Sequence, residues 1–453
     1  MNKTILSYCL YVALLSHNAF SKEVFTVDNI KEYLTKDNPY IYGAIAQQYI
    51  NAARIKTTQG NFDTRINAYY DNKDYPLSTG EFSDVALTTP TENGTEFILG
   101  YRKTRGIQEY NNIKTGEEGE FRVGVNVPVF SVLHDINERK YKLDSTKINA
   151  TESTYNSQNN LRNIYSHIVV LYYKLLYSFE LITLEKELLK KAERRNHFII
   201  QRVKSGDLPK VALLESSQQI INRQQRVLNA QNNYTQSLQI FLKYLNVPQN
   251  KFDFRYALPS LKFLKKEKNT FENVISQALD TRPDIKALEL KSNQLDLDST
   301  YNKLLKYPKL NFFAYGVHDR LDGDGVKVGL QFEIPLQRRE YEGKKVEIQK
   351  SVTQLKHEKN RLIIDLKTNL HNLLYSLDIA NKDIDLANQE TKIVESLEEV
   401  ENKKYEVGSS DLFQVNQRES IALEVKKKQL EYYLKALIIQ QKIKQEMGEF
   451  ITL

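Results

Sequence analysis

The 453-residue chain is long enough for two or three ordinary domains, yet it holds only 17 Gly and 10 Pro, no Trp, and 28 Tyr. Asn, Gln, Lys and Glu dominate its middle and end, the composition of long solvated helices more than of compact cores. Lys plus Arg exceed Asp plus Glu by seven, but charges of both signs are spread along helical faces with no basic block or aromatic-interleaved patch, which excludes a nucleic-acid reading.

The first residues, MNKTILSYCLYVALLSHNAFS, carry one Lys, an apolar run from Ile5 to Leu15, and Ala19-Phe20-Ser21. This is the pattern of a signal peptide, residues 1–21, with small residues at −3 and −1. The apolar run is too short to span a bilayer as a helix. Cleavage after Ser21 starts the mature chain at Lys22, lowers the basic excess to six by removing Lys3, and removes Cys9, the only cysteine. Bulky Tyr8 argues against a lipid anchor on Cys9, and no disulfide framework is available to the exported chain.

A helical stretch at about 28–58 follows, with Asn38-Pro39 within it. FDTRINAYYD (62–71) then alternates with aromatics as a strand does, as does GEFRVGVNVPVF (119–130), which ends near Pro128. Between them, EFSDVALTT (81–89) and TEFILGYRK (95–103) form an inserted hairpin. Long helical stretches at about 132–205 and 207–246 meet at Gly206 in RVKSGDLPKVALLE (202–215). Residues 247–280 read as a linker.

The same order then recurs. Arg282-Pro283 opens a helix at about 283–305, and PKLNFFAYGVH (308–318) and VKVGLQFEIPL (326–336) are strands joined by the polar turn DRLDGDG (319–325). Helical stretches at about 339–407 and 409–448 meet at Gly408 in KYEVGSSDLFQVNQ (404–417). In the first of these, Leu362, Leu366, Leu370, Leu373, Leu377, Ala380, Ile384 and Ala387 step by three or four, a coiled-coil seam; in the second, Leu423, Leu430 and Leu437 step by seven. Pro128 matches Pro335, Tyr173 matches Tyr375, and Gly206 matches Gly408. The chain therefore reads as an internal duplication, 22–246 and 281–453.

A Gly between two long helices predicts a hairpin tip, because Gly accepts the positive φ of a helix C-terminus. Pro209 in the first copy, and Ser409, Ser410 and Asp411 in the second, restart the next helix. A seventy-residue helix is roughly 100 Å long, which suits a periplasm-spanning rod with both tips at the end far from the strands. No later stretch approaches twenty consecutive apolar residues, so a membrane-embedded form of this chain uses its strands, each about the ten residues of a tilted transmembrane β-strand.

This plan resembles the TolC-type outer-membrane efflux channel family over nearly the whole mature chain. TRPDIKALELKSNQLDLDSTYNKLLKYPKLNFFAYG (281–316), VKVGLQFEIPL and the two tips carry the resemblance. It implies a mainly α fold with transmembrane β: a duplicated strand and long-helix repeat, forming a trimeric outer-membrane β-barrel continuous with a periplasmic α-helical barrel. Four strands in one chain cannot close a barrel, and open edges are not tolerated in lipid, whereas three copies supply twelve. The insertion is expected as a hairpin outside the bilayer; two further crossings, and a larger barrel, satisfy the same parity.

The resemblance also places the gate and the docking of a periplasmic adaptor at the tips: Gly206, Pro209, Lys210, Tyr405, Gly408, Ser410, Gln414 and Gln417. Tyr405 matches the family's Tyr before the second Gly. Ser410 stands where the family has a basic residue, Ala212 where it has an acid, and Gln414 and Gln417 where members carry lumenal carboxylates, so the location carries over without its charged latch. A polar coiled-coil face is the plain alternative for either Gln.

Asp319, Asp322 and Asp324 lack the terminal Glu of a Ca²⁺ loop and read as a hairpin turn. The His residues, His134, His167 and His371 among them, have no ligand spacing, and no phosphate loop or catalytic triad motif is present, so neither an enzyme nor a cofactor or metal site is indicated. Two readings remain. One is a passive duct, docked to an adaptor and an inner-membrane transporter of RND, ABC or MFS type, for efflux or type I secretion. The other is a periplasmic coiled-coil tether without a pore.

Overall fold

The computed structural model describes residues 24–76, 78–106, 115–116, 118–251, 258–263, 270–320 and 322–449. The predicted signal peptide, Cys9 and the mature start at Lys22 lie outside them. Helices are α1 Val27–Tyr33, α2 Pro39–Gln59, α3 Val129–Leu133, α4 Glu138–Lys204, α5 Val211–Leu245, α6 Phe271–Thr281, α7 Pro283–Leu304, α8 Arg339–Glu406 and α9 Leu412–Glu446. Strands are β1 Arg65–Tyr75, β2 Ser78–Pro90, β3 Glu96–Gly106, β4 Glu120–Pro128, β5 Lys309–Asp319 and β6 Gly323–Glu333. Two compact units emerge: Met1–Ala44 with Asn160–Thr281 and Leu366–Leu453, and Ile45–Asn159 with Arg282–Asp365. Each takes segments from both predicted repeats.

The first unit is helical. Phe25 packs against Tyr172 of α4 and Phe241 of α5, with ring centroids 5.7 and 6.1 Å away, and all three side chains are buried. The predicted seam of α8 buries Leu366, Leu370, Leu377, Ala380, Ile384 and Ala387, while Leu362 and Leu373 are half-buried. On α9, Leu423 and Leu430 are buried and Leu437 is half-buried. Among the described residues, α4 is the one helix long and apolar enough to cross a membrane by length and composition. Its Tyr165, Ile168, Val169, Tyr172, Leu175 and Leu176 are buried. Asn38 holds the entry to α2 by donating to Tyr244 O at 2.8 Å and accepting from Tyr40 N at 3.0 Å. His167 is exposed and meets the edge of Tyr244, and His371 meets Phe271.

The second unit is built on one antiparallel sheet in the order β1-β2-β3-β4-β5-β6. The expectation of four strands per chain is therefore corrected: the sheet has six. The insertion supplies β2 and β3, paired in register with both neighbours: Arg65–Tyr75 opposite Ser78–Thr88, and Glu96–Arg102 opposite Glu120–Asn126. Alternating sequence assigns the two faces of a strand but not its partners, which is why the insertion read equally well as a separate hairpin. Beside the sheet, the start of α4 lies on α7. Tyr141 stacks on Tyr301 at 4.3 Å and donates to Asp298 at 2.8 Å; burial, with the Asp298 hydrogen bond, pushes its phenol up to about 12.

The sheet has two chemically distinct faces. One carries Ile66, Tyr70, Val85, Leu87, Phe97, Leu99, Phe121, Val123, Val326, Val328, Leu330 and Phe332, all exposed. The other is polar. There Arg122 donates to Asp84 at 2.7 Å, Arg102 pairs with Glu120 at 2.7 Å, and Tyr315 and Lys327 line the same concave surface.

Candidate functional site

Both predicted tips are in the helical unit. Each long helix ends on Gly in the left-handed region, φ +85° at Gly206 and +80° at Gly408. The backbone closes identically at both. Asp207 N donates to Arg202 O at 2.8 Å and Gly206 N to Val203 O at 3.3 Å; Ser409 N donates to Lys404 O at 2.9 Å and Gly408 N to Tyr405 O at 3.1 Å. These are paired six-to-one and five-to-two Schellman bonds, and they satisfy carbonyls that the helix end leaves open. α5 and α9 end the same way, with Asn246 at φ +58° and Gly448 at +89°.

The restart residues differ between the tips. Pro209 and Lys210 are exposed, and Pro209 O and Lys210 O accept the first turn's amides from Ala212 and Leu213. At the second tip Asp411 caps α9, accepting from Gln414 N at 2.8 Å. Ser410 donates to the buried Glu401 carboxylate at 2.5 Å, a short-range tie within the tip. Gln414 and Gln417 are exposed, off the stripe that buries Leu412, Val415 and Glu419. Tyr405 is half-buried; burial raises its phenol, and Arg202 and Arg195 pull it back down. It lines a cavity of about 480 Å³ together with Arg194, Arg195, Arg202, Phe198 and Glu419.

Behind the tips, ion pairs that sequence reasoning did not foresee connect the two hairpins. Arg195 of α4 donates to Glu419 and, at 3.0 Å, to Asn416, both on α9. Arg223 of α5 reaches Glu419 at 3.9 Å, and the two side chains are 1% and 0% exposed. Lys191 pairs with Glu398 of α8 at 2.7 Å, and Lys427 of α9 with Glu185 of α4 at 2.9 Å. Glu419 follows Leu412 and Val415 at helical spacing and precedes Leu423: an acid on an apolar stripe, the signal that was available.

Two further rows went unread. On α5, Leu214, Ile221 and Leu228 stand seven apart, and on α8 so do Leu386, Ile393 and Val400; every one is exposed. A seven-residue apolar repeat is the seam of a helix packed on another helix, and here the seam faces solvent.

An antiparallel sheet with one apolar face, joined in sequence to two Gly-tipped hairpins of very long helices, defines the fold of the TolC-type outer-membrane channels. Solved structures match it over most of their length. The Campylobacter jejuni CmeC outer membrane channel superposes with a TM-score of 0.68 at 12% identity, covering 96% of this chain and 91% of that one. The open state of the Neisseria gonorrhoeae MtrE outer membrane channel gives 0.69 at 11% identity over 93% and 88%. The Vibrio cholerae outer membrane protein VceC gives 0.69 at 10% identity over 93% and 96%. No family model matches the chain, and no curated protein matches it in sequence.

Proposed function

We propose that three copies of this chain form the outer-membrane channel of a tripartite export system. It is a passive duct that extends into the periplasm and docks a periplasmic adaptor coupled to an inner-membrane transporter. The sheet carries this reading: a single chain leaves its apolar face exposed and β1 and β6 as open edges, which lipid does not tolerate. Pairing β1 of one copy with β6 of the next removes the edges, and the seven-residue rows on α5 and α8 supply matching helical seams. The experiment is fractionation to the outer membrane, heat-modifiable migration as a trimer, and stepwise conductance in planar bilayers. A protein that fractionates with the envelope but never conducts is the pore-less tether instead.

Docking is assigned to Gly206, Pro209, Lys210, Tyr405, Gly408 and Ser410. Replacing Gly206 and Gly408 with Val is expected to cost about 1 kcal/mol or more at each, from the positive φ. A Cβ there meets nothing within 4 Å, so the strain is local. Trimers persist, while cross-linking to the adaptor and export both fall. Retention of both in the double variant contradicts the docking assignment.

Gln414 and Gln417 are assigned to the lumenal constriction. Three apart on one helix, they form two uncharged rings in a trimer. Changing both to Asp is expected to raise cation preference and make conductance more salt-sensitive, because fixed carboxylate rings in a narrow mouth are screened by ions. Reversal potentials under a KCl gradient measure it; identical selectivity in wild type and double variant moves the constriction elsewhere.

A further inference from the structure

We infer that the wall of the assembled channel has six strands from each subunit, eighteen in all, with the inserted strands β2 and β3 lying against lipid acyl chains. This rests on the trimeric-channel reading above and goes beyond it, since four strands per subunit close a barrel equally well.

Four observations place β2 and β3 in the wall. The first is register. Leu87 stands opposite Leu99, Leu99 opposite Val123, Val123 opposite Gly316, and Gly316 opposite Val326. Residues opposite one another point to the same side, so one apolar face runs unbroken from β2 to β6. Val85 is 48% exposed and Leu99 50%, much like Val328 at 64% on β6.

The second is the limit of that face. On β6 it spans Val326–Phe332, about 20 Å at 3.4 Å per residue. It gives way at one end to Asp324 on β6, to Lys103 and Arg105 on β3, and to Glu81 on β2. An apolar band that gives way to charge is the pattern of a barrel exterior.

The third is the opposite face, where β2 and β3 supply partners for half-buried charges. Asp84 of β2 accepts from Arg122 of β4, and Arg102 of β3 pairs with Glu120 of β4, with side chains 11–21% exposed. A sheet that excluded β2 and β3 would strand Arg122 and Glu120.

The fourth is the β2–β3 turn. Asn137 donates to Glu92 O at 2.6 Å, and Arg139 to Glu96 at 2.6 Å, fixing the turn to the start of α4. Gly94, at φ +94°, is packed so closely that a Cβ would sit 2.9 Å from Pro128 Cγ. The hairpin thus runs the full height of the sheet, from the β1–β2 turn to the first turn of α4. Barrel circumference grows roughly in proportion to strand number, so this wall is about half as wide again as one of four strands per subunit.

The absence of Trp makes the test direct. Single variants Val85→Trp, Leu99→Trp, Val328→Trp and Asn93→Trp are reconstituted as full-length protein in phosphatidylcholine vesicles with plain or brominated acyl chains, and bromine quenching is read. Val85→Trp and Leu99→Trp are expected to lose emission to the same degree as Val328→Trp, with Asn93→Trp in the turn unaffected. If Val328→Trp is quenched but Val85→Trp and Leu99→Trp are not, the insertion lies outside the bilayer and the inference is overturned while the channel reading stands. If Val328→Trp is also unquenched, the channel reading itself fails and takes the inference with it.

Discussion

Glu419→Ala is expected to destabilise the helical unit by about 3–5 kcal/mol, the loss seen when one member of a buried ion pair is removed. Glu419 is wholly buried and is the carboxylate shared by Arg195 and Arg223. Burial lowers the pKa of Arg223, but a guanidinium remains charged at any physiological pH, so the variant leaves two cations facing each other in the interior. The Nε and both Nη atoms of Arg223 have no hydrogen-bond partner among the described residues, so Glu419 is its main compensation. Adding Arg223→Met to Glu419→Ala is accordingly expected to recover much of the loss. The urea midpoint of the helical far-UV signal, taken through the full double-mutant cycle, measures both. Equal midpoints for wild type and Glu419→Ala would show that the cluster carries no net energy. The pair of half-exposed Lys191 with buried Glu398 is expected to matter less, since solvent reaches its ammonium end.

Ile221→Glu and Ile393→Glu are each expected to abolish the trimer while leaving the monomer folded. Both residues are more than half exposed in the single chain, so Glu there costs the monomer little. In the proposed trimer each lies within a seven-residue row, where an unpaired carboxylate would be desolvated three times per trimer at several kcal/mol each. The loss of Ile adds about 1.5–3 kcal/mol of apolar burial per copy. Size-exclusion chromatography with light scattering is the readout, together with the far-UV helical signal. Monomers with undiminished helix content are the expected outcome. Trimers that survive both changes would show that these rows face solvent in the assembly and that the seam lies elsewhere.

Much of the helical architecture was legible in the sequence because its determinants are local. Gly206 and Gly408 were readable as tips, since a residue at positive φ after a long helix is most easily Gly. Asp411 was readable as the restart of α9, since its carboxylate needs only the amide three residues on. The buried seam from Leu366 to Ala387 followed from spacing alone. The row of Leu386, Ile393 and Val400 has the same spacing, but a step of seven on a helix that already has one apolar face announces a second partner only when both faces are counted.

The sequence by itself determined where the helices run, where they turn, and which strands alternate apolar with polar, because backbone dihedrals and side-chain period are properties of short segments. Only the tertiary structure decided that 78–106 belongs to the same sheet as the other four strands, and that Glu419 answers Arg195 and Arg223 on two other helices. Both are choices of partner between segments distant in the chain. Alternation states which face of a strand is apolar without naming the strand beside it, and a carboxylate on an apolar stripe states that a cation is needed without naming which.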